Sequence, residues 1–360
     1  MKNIRIEDID PNFAAKDLGD VEVVFYDVTE KPFEIFGFYT SKQKEFKRMP
    51  TEVAEIVNVG VSHLYKNTSG GRIKFKTDSA NIVLKSVLPE LHLMKHMPMT
   101  GSSFFDLYVD GKYYYTFYPN IDMHDSLKAE RIGREEGFTS VIKLNTKKMR
   151  EIEINFPLYN SVDEVYIALD KNAIIESPTQ YRACKPIVYY GSSITQGGCA
   201  SHPGNAYQNI ISRRLNCDFV NLGFSGNAKG EIPMAEYIAK LDMSIFVMDY
   251  DHNAKNAEYL KQTHEPFFEV VRKNNPDLPV VFVSVADKCF DDIDLRKEVI
   301  YTTYKNALDR GDKNVYFIDG QDIYKDVGYD LCTVDNCHPN DLGFWCMANS
   351  IGKVIEEILR

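Results

Sequence analysis

Four short segments of the sequence carry small, polar or ionisable residues of the kinds that enzymes use in catalysis. They are residues 191–198 (GSSITQGG), 221–227 (NLGFSGN), 249–254 (DYDHNA) and 335–340 (DNCHPN). A serine on a tight turn becomes a nucleophile when an imidazole takes its proton and a carboxylate holds that imidazole in the useful tautomer. The residue types in these segments therefore indicate acyl transfer.

The candidate nucleophile is Ser193, the candidate base is His338, and Asp335 is the carboxylate that orients the base. Asp335 and His338 are three residues apart, so a single turn can supply both. Acyl transfer also needs donors that are already aimed at the developing oxyanion. The backbone amides of Ser193 and Gly226 and the side-chain amide of Asn253 are the candidate donors.

The second half of the chain predicts the elements that hold these segments. Short apolar runs alternate with amphipathic stretches, which indicates strands alternating with helices and hence a parallel sheet with helices on both faces. The predicted strands are 187–190, 219–222, 245–250, 280–285 and 315–318, and the predicted helices are 206–215, 234–240, 257–273, 295–309 and 340–359. Open parallel sheets bind ligands at the carboxyl ends of their strands, so all four segments are expected to meet at one edge.

The first half predicts an all-β domain. Residues 72–85, 139–146, 150–156 and 163–169 alternate apolar and polar side chains, few stretches have helical spacing, and Asp110-Gly111 between two aromatic runs in 104–118 is a hairpin signal. Many short strands of this kind favour a β-sandwich or jelly roll. We therefore predict two domains, 1–180 and 181–360.

The four segments also resemble a known family. GSSIT, NLGFSGN, DYDHNA and DNCHPNDLGF look like successive blocks of the SGNH/GDSL hydrolases. The resemblance implies a flavodoxin-like domain with a five-stranded parallel sheet. It also implies a triad of Ser193, His338 and Asp335, with an oxyanion hole formed by Ser193, Gly226 and Asn253. Two departures are visible: Ser192 stands where many members have aspartate, and the glycine-rich third block is absent, although Asn253 matches its asparagine.

The amino-terminal segment GSSFFDLYVDG resembles the Gly-x-Asp-Leu-Tyr segment of a β-domain that precedes the hydrolase domain in one subgroup. That subgroup includes carbohydrate esterases that remove acetyl groups from sugars. The resemblance implies a serine esterase that deacetylates oligosaccharides through an acyl-enzyme. Two alternatives stay open: a lipid or thioester acylhydrolase, and a carbohydrate-binding protein without catalysis.

Charge and composition limit the partners. A net charge of -10 without a basic block disfavours nucleic acid and anionic lipid. No secretion signal or spanning segment is visible, so the seven cysteines are expected to be free thiols in the cytoplasm. Whether the chain forms a homo-oligomer stays open.

No cofactor is expected. Cys332, Cys337, His338 and Asp335 match no zinc spacing well, so no metal is expected either. His252 and His264 are expected to line the pocket wall rather than to act as bases. The aromatic side chains of the 104–118 hairpin are expected mainly to pack in a core.

Overall fold

The structure is a computed structural model, and it describes five stretches of the chain. These are residues 21–39, 45–91, 93–119, 137–182 and 184–360. The first four stretches contain antiparallel sheets, and the last contains a parallel sheet.

Ten strands lie in the described part of the amino-terminal half, and all of them pair antiparallel. Four form one sheet in the order β1-β9-β4-β7, and the others form a second sheet in the order β10-β3-β8-β5-β6, with β2 paired to β3. The strands are β1 (Val23–Asp27), β2 (Glu34–Phe36), β3 (Arg72–Thr77), β4 (Asn81–Val87), β5 (Phe105–Val109), β6 (Lys112–Phe117), β7 (Phe138–Lys143), β8 (Arg150–Asn155), β9 (Glu164–Asp170) and β10 (Ile175–Glu176).

The two antiparallel sheets enclose a common apolar core. Successive side chains of a strand point to opposite faces, so every second residue can be buried. Ile73 and Phe75 of one sheet and Ile82 and Leu84 of the other are fully buried in the same cluster. The predicted β-sandwich is confirmed, while the jelly-roll connectivity stays a prediction.

The hairpin predicted at Asp110-Gly111 joins β5 to β6. Both turn residues have positive φ, 50° at Asp110 and 75° at Gly111, as a two-residue hairpin turn requires. The structure also contains helices that the sequence did not predict: α1 (Thr51–Val57), α2 (Val59–Leu64) and α3 (Met99–Ser102). Each is at most seven residues long and buries only one or two side chains, so no helical period is visible in the sequence.

The carboxyl-terminal half contains five parallel strands, as predicted. Their order is β12-β11-β13-β14-β15, the flavodoxin-like arrangement in which the first strand lies between the second and the third. The strands are β11 (Ile187–Gly191), β12 (Phe219–Gly223), β13 (Ile245–Asp249), β14 (Val280–Val283) and β15 (Val315–Ile318).

Helices cover both faces of the parallel sheet, which is also as predicted. Val188 and Tyr190 point into a core shared with the helices at 232–238, 257–274 and 293–309. Ile187 and Tyr189 point into a core shared with the helices at 207–215 and 341–358. None of the helices in the described stretches is long and apolar enough to cross a membrane. The helices of this half are α4 (Ser193–Gln196), α5 (Tyr207–Leu215), α6 (Ile232–Ile238), α7 (Ala257–Asn274), α8 (Ile293–Asp309), α9 (Tyr329–Cys332) and α10 (Asp341–Ile358).

Buried polar contacts join the two halves. The predicted domain boundary at 180/181 lies between β10 and β11. Arg48 of the first half is fully buried and donates to the carbonyl oxygens of Asn221 at 3.2 Å and Gly223 at 2.6 Å, near the carboxyl end of β12. Ser69 Oγ donates to the Gln196 carbonyl oxygen at 2.6 Å. Both contacts reach segments at the carboxyl ends of β11 and β12, so the amino-terminal half supports the loops that carry the candidate site.

Candidate active site

Ser193 is presented by a tight turn between β11 and α4. A side chain at Gly191 would place its Cβ 2.2 Å from the Asp249 carbonyl oxygen, so the close approach of β11 and β13 requires glycine there. Ser192 caps α4, and its Oγ accepts a hydrogen bond from the Ile194 amide at 3.2 Å. Ser is among the residues favoured at the amino-terminal cap of a helix. Ser193 follows directly and is 8% exposed.

A closed loop between α9 and α10 carries the other two candidates. A β-bridge between Thr333 and Pro339 closes this loop. Asp335 accepts two hydrogen bonds of 2.8 Å from His338, one from its backbone N–H and one at ring atom Nδ1. The three-residue spacing therefore lets one carboxylate fix both the backbone and the ring of His338.

The turn and the loop meet, so the structure brings Ser193, His338 and Asp335 together. His338 Nε2 lies 2.9 Å from Ser193 Oγ, and Nδ1 of the same ring faces Asp335. Burial opposes ionisation of Asp335, but its hydrogen bonds from His338 outweigh burial and lower the pKa of the carboxyl. A carboxylate that stays ionised keeps the proton of the imidazole on Nδ1 and leaves Nε2 free to accept a proton from the serine.

The loop after β12 is tied to the nucleophile turn. The Phe224 amide donates to the Gly191 carbonyl oxygen at 2.8 Å, and the Ser225 amide donates to Gln196 Oε1 at 2.9 Å. Gly226 follows with φ of 68°, a left-handed conformation that favours glycine. The predicted donor Gly226 therefore lies on a turn fastened to both ends of the Ser193 segment.

Asn253 ends a short turn, Asp251–Asn253, after β13. Its side-chain Oδ1 accepts a hydrogen bond from the Ala228 amide at 3.2 Å, so the loop after β12 contacts it directly. This bond engages the oxygen of the amide and leaves its Nδ2 group to donate elsewhere. The three predicted oxyanion donors thus lie on segments linked to one another.

The buried carboxyl group of Asp249 accepts a hydrogen bond from α4, the helix that begins at Ser193. Thr195 Oγ1 and Tyr207 Oη each donate to Asp249 Oδ2 at 3.2 Å. Burial raises the pKa of Asp249 to about 7. Asp249 was in a segment singled out by the sequence, but its contact with Thr195 depends on strand pairing that the sequence does not specify.

Tyr159, from the amino-terminal half, also reaches the site. Its hydroxyl donates to the Ser193 carbonyl oxygen at 3.1 Å, and burial raises its pKa, so it stays a protonated donor. A Cβ at Gly198 would lie 2.8 Å from this hydroxyl and 3.2 Å from the His338 ring, so glycine is needed between them. The sequence analysis missed Tyr159, since only the packing of the two halves brings it to the site.

A cavity of about 720 Å³ lies beside Tyr159 at the junction of the two halves. Ser225 and Asn227, which flank Gly226, form part of its wall. The remaining lining comes from the amino-terminal half and combines polar with apolar residues. It includes His63, Lys66, Asn67, Glu90, Leu93, Met94 and Ser161.

His264 does not line a pocket wall as predicted, whereas the placement of His252 at the pocket wall stays a prediction. His264 is 1% exposed in the core, where its Nδ1 lies 2.9 Å from Thr303 Oγ1, because α7 turns it towards α8. The His252 side chain is 5% exposed, and its Nε2 lies 2.6 Å from Asp287 Oδ2. Both histidines are therefore held by partners inside the protein.

Three clusters in the described part of the chain place metal-ligand atoms within 4.8 Å of one another. One contains His338, whose two ring nitrogens already face Ser193 and Asp335. The other two share His252, whose Nε2 is engaged by Asp287. Both ring nitrogens of His338 and the Nε2 of His252 thus already have hydrogen-bond partners, which disfavours a metal at these atoms. The absence of a metal stays a prediction.

Comparisons with known proteins agree with this geometry. Residues 184–356 match the GDSL-like lipase/acylhydrolase family, and residues 23–175 match the GxDLY domain, the N-terminus of SGNH hydrolase-type esterases. No curated protein matches the chain.

Solved structures share the whole architecture. A protein from Bacteroides ovatus described as GDSL-like lipase is 26% identical, with 94% of this chain and 98% of that chain covered and a TM-score of 0.78. The salicylyl-acyltransferase SsfX3 from a tetracycline biosynthetic pathway is 18% identical, with 93% of this chain and 97% of that chain covered and a TM-score of 0.75. A family two carbohydrate esterase from Clostridium thermocellum is 14% identical, with 81% of this chain and 92% of that chain covered and a TM-score of 0.57. Residues 184–356 are therefore similar to GDSL-like lipases/acylhydrolases, residues 23–175 are similar to the GxDLY domain of SGNH-type esterases, and the chain is an esterase.

Proposed function

We propose that the chain hydrolyses short-chain esters, acetyl esters above all, on oligosaccharides, with Ser193 as nucleophile. The observation that carries the proposal is the continuous hydrogen-bonded series from Ser193 Oγ through the His338 ring to Asp335, with contacts of 2.9 and 2.8 Å. Nucleophile, base and orienting carboxylate in this order suit acyl transfer.

The reaction proceeds in two halves. Ser193 Oγ attacks the ester carbonyl carbon while His338 Nε2 takes its proton. The negative charge that develops on the carbonyl oxygen is met by the amides of Ser193 and Gly226 and by Asn253 Nδ2. When the intermediate collapses, the ester C–O bond breaks and His338 returns the proton to the departing alcohol.

Water then attacks the acyl-enzyme. His338 accepts a proton from this water and delivers it to Ser193 Oγ as the acyl–serine bond breaks, which releases the carboxylic acid. Asp335 keeps the imidazole oriented and stabilises its charged form in both halves.

The cavity beside Tyr159 supports a hydroxyl-rich alcohol as the leaving group. Asn67, Ser161, Ser225 and Asn227 can donate or accept hydrogen bonds along its wall. Two neighbours in fold also support a sugar substrate: the family two carbohydrate esterase, and an acetyl xylan esterase from Butyrivibrio proteoclasticus with a TM-score of 0.55 and 12% identity.

The nucleophile is tested with Ser193→Ala and a small aryl acetate. Loss of one triad member is expected to lower kcat by about a thousandfold or more. The residual activity comes from the remaining groups that bind the substrate and the oxyanion. Ser193→Ala is also expected to lose labelling by a fluorophosphonate. Ser62→Ala, on an exposed part of α2, is the matched control. Equal hydrolysis by Ser193→Ala and wild type would refute the assignment.

The substrate is tested separately. Acetate release from a panel of acetylated oligosaccharides, followed by product mapping, identifies the sugar and the position attacked. Comparing acetyl with octanoyl esters of one alcohol tests the acyl group. A preference for octanoyl would replace the deacetylase proposal with a lipid or thioester acylhydrolase.

A further inference from the structure

His252 lies among buried carboxylates. Its Nε2 is 2.6 Å from Asp287 Oδ2, and its Nδ1 is 3.4 Å from Asp251 Oδ1. Both carboxylates are at most 1% exposed. Burial disfavours a charged imidazole, but Asp287 and Asp251 outweigh burial and raise the pKa of His252 well above its ordinary value. The ring therefore lies between two buried carboxyl groups.

This buried pair joins loops from different strands. His252 is on the turn after β13, directly before Asn253, whereas Asp287 is on the loop after β14. The sulfur of Cys337 completes a cluster within 4.8 Å of the ligand atoms of His252 and Asp287. Cys337 directly precedes His338, so the cluster touches the loop that carries the proposed base.

The turn that carries Asn253 has little support of its own. It spans three residues, Asp251–Asn253, and no side chain caps its amino end. The Asn253 side-chain Oδ1 accepts a hydrogen bond of 3.2 Å from the Ala228 amide, and the Asn253 backbone N–H donates to the Tyr250 carbonyl oxygen at 3.0 Å. Contacts from outside the turn add to these bonds.

Those contacts come from the loop after β14 and from α8. The Val285 amide donates to Asp251 Oδ2 at 2.9 Å, and Arg296 Nη1 donates to the Asp251 carbonyl oxygen at 2.7 Å. The Cys289 amide donates to Asp287 Oδ1 at 3.0 Å and so fixes the carboxyl group whose Oδ2 faces His252. Among these contacts, the His252–Asp287 bond is made by the residue next to Asn253.

We propose that His252, held by Asp287, is a positioning residue of the esterase reaction, which keeps the Asn253 amide aimed at the reacting carbonyl oxygen. The inference rests on the proposed function, in which Asn253 is an oxyanion donor. A donor contributes to catalysis only when it is fixed at the place where charge develops. A small displacement of the turn therefore lowers the rate of the chemical step and leaves substrate binding nearly unchanged.

The test is a double-mutant cycle on an aryl acetate with His252→Gln, Asn253→Ala and the double variant. Loss of an oxyanion donor is expected to lower kcat by about 100-fold or more. Displacement of that donor in His252→Gln is expected to lower kcat by about tenfold, with KM unchanged within about twofold. Since His252 acts through Asn253, the double variant should be no slower than Asn253→Ala alone.

Asp287→Asn is a second variant that keeps the shape of its side chain and should reproduce the kcat loss of His252→Gln. His202→Gln is the matched control, because His202 likewise pairs with a buried carboxylate, its Nδ1 lying 2.6 Å from Asp106 Oδ2, but it is on the segment before α5 and not on the Asn253 turn. It should leave kcat at its wild-type value. Thermal unfolding of each variant separates a loss of rate from a loss of fold.

Three results would overturn the inference. Multiplicative losses in the double variant would mean that His252 acts independently of Asn253. A change in KM with constant kcat would make it a binding residue. One equivalent of zinc in wild type that disappears in His252→Gln would make it a metal ligand. Ser193→Ala measured alongside tests the proposed function by itself: if that variant keeps full activity the esterase assignment fails, whatever the cycle gives.

Discussion

Replacing Asp335 by asparagine tests the proposed mechanism quantitatively. The carboxylate accepts hydrogen bonds from both the backbone N–H and the ring of His338, each at 2.8 Å. Asparagine has nearly the same shape but no charge and only one oxygen, so it can accept only one of the two. The other donor then faces an NH₂ group, or the imidazole adopts the tautomer with its proton on Nε2, which can no longer accept a proton from Ser193.

The expected magnitude follows from the lost charge. An imidazolium and a carboxylate about 4 Å apart attract by about 4 kcal/mol at an effective dielectric constant of about 20 and by about 1 kcal/mol in water. The Asp335 side chain is 38% exposed, so the pair lies between these limits. We expect a loss of about 2 to 3 kcal/mol, which lowers kcat by about 30- to 160-fold.

The measurement is kcat and KM for an aryl acetate at fixed pH and salt. Asp330→Asn is the matched control, since it removes the same charge from an exposed position on α9. It should change kcat by less than about twofold, as a distant exposed charge is screened. If Asp335→Asn keeps wild-type kcat, or if both variants lose activity equally, Asp335 does not support the base and the mechanism is refuted.

Two further predictions concern stability. Arg48→Met removes buried hydrogen bonds to three carbonyl oxygens and should lower the free energy of unfolding by about 3 to 5 kcal/mol. In urea denaturation the exposed control Arg310→Met should lose less than about 1 kcal/mol. Burial lowers the pKa of His264 to about 3 from 6.5, so below pH 6.5 the unfolded chain binds a proton that the native chain does not. Stability is therefore lost as pH falls, and between pH 6.5 and 5 His264→Gln should lose about 2 kcal/mol less than wild type; an equal loss in the two proteins would contradict this.

Local patterns predicted most of the fold. Strand and helix bounds in the parallel-sheet half differ from the predicted ones by no more than two residues, since each buried strand is a continuous apolar run. The Asp110-Gly111 turn was readable because its chemistry is local. The short helices α1 and α2 were not, because each buries too few residues to give a period.

The site residues likewise fall into those that local sequence features predict and those that depend on long-range contacts. Ser193, Asp335 and His338 were readable because the nucleophile turn and the three-residue spacing are local features. Tyr159 and the His252–Asp287 pair were not, because each contact joins residues more than thirty positions apart. The same limit explains the wrong placement of His264, whose burial depends on how α7 packs against α8.

The position of the cavity separates two sources of substrate specificity. Both proposed catalytic loops belong to the parallel-sheet half, and so do Gly226 and Asn253, so the chemistry of the acyl group is confined to that half. Ser225 and Asn227 line the cavity, and most of its wall comes from the amino-terminal half. The polar side chains of that wall suit the alcohol portion of an ester, because hydroxyl groups that leave water need new partners. The β-sandwich is therefore expected to select the alcohol, while the parallel-sheet half performs the same acyl transfer whatever alcohol is bound.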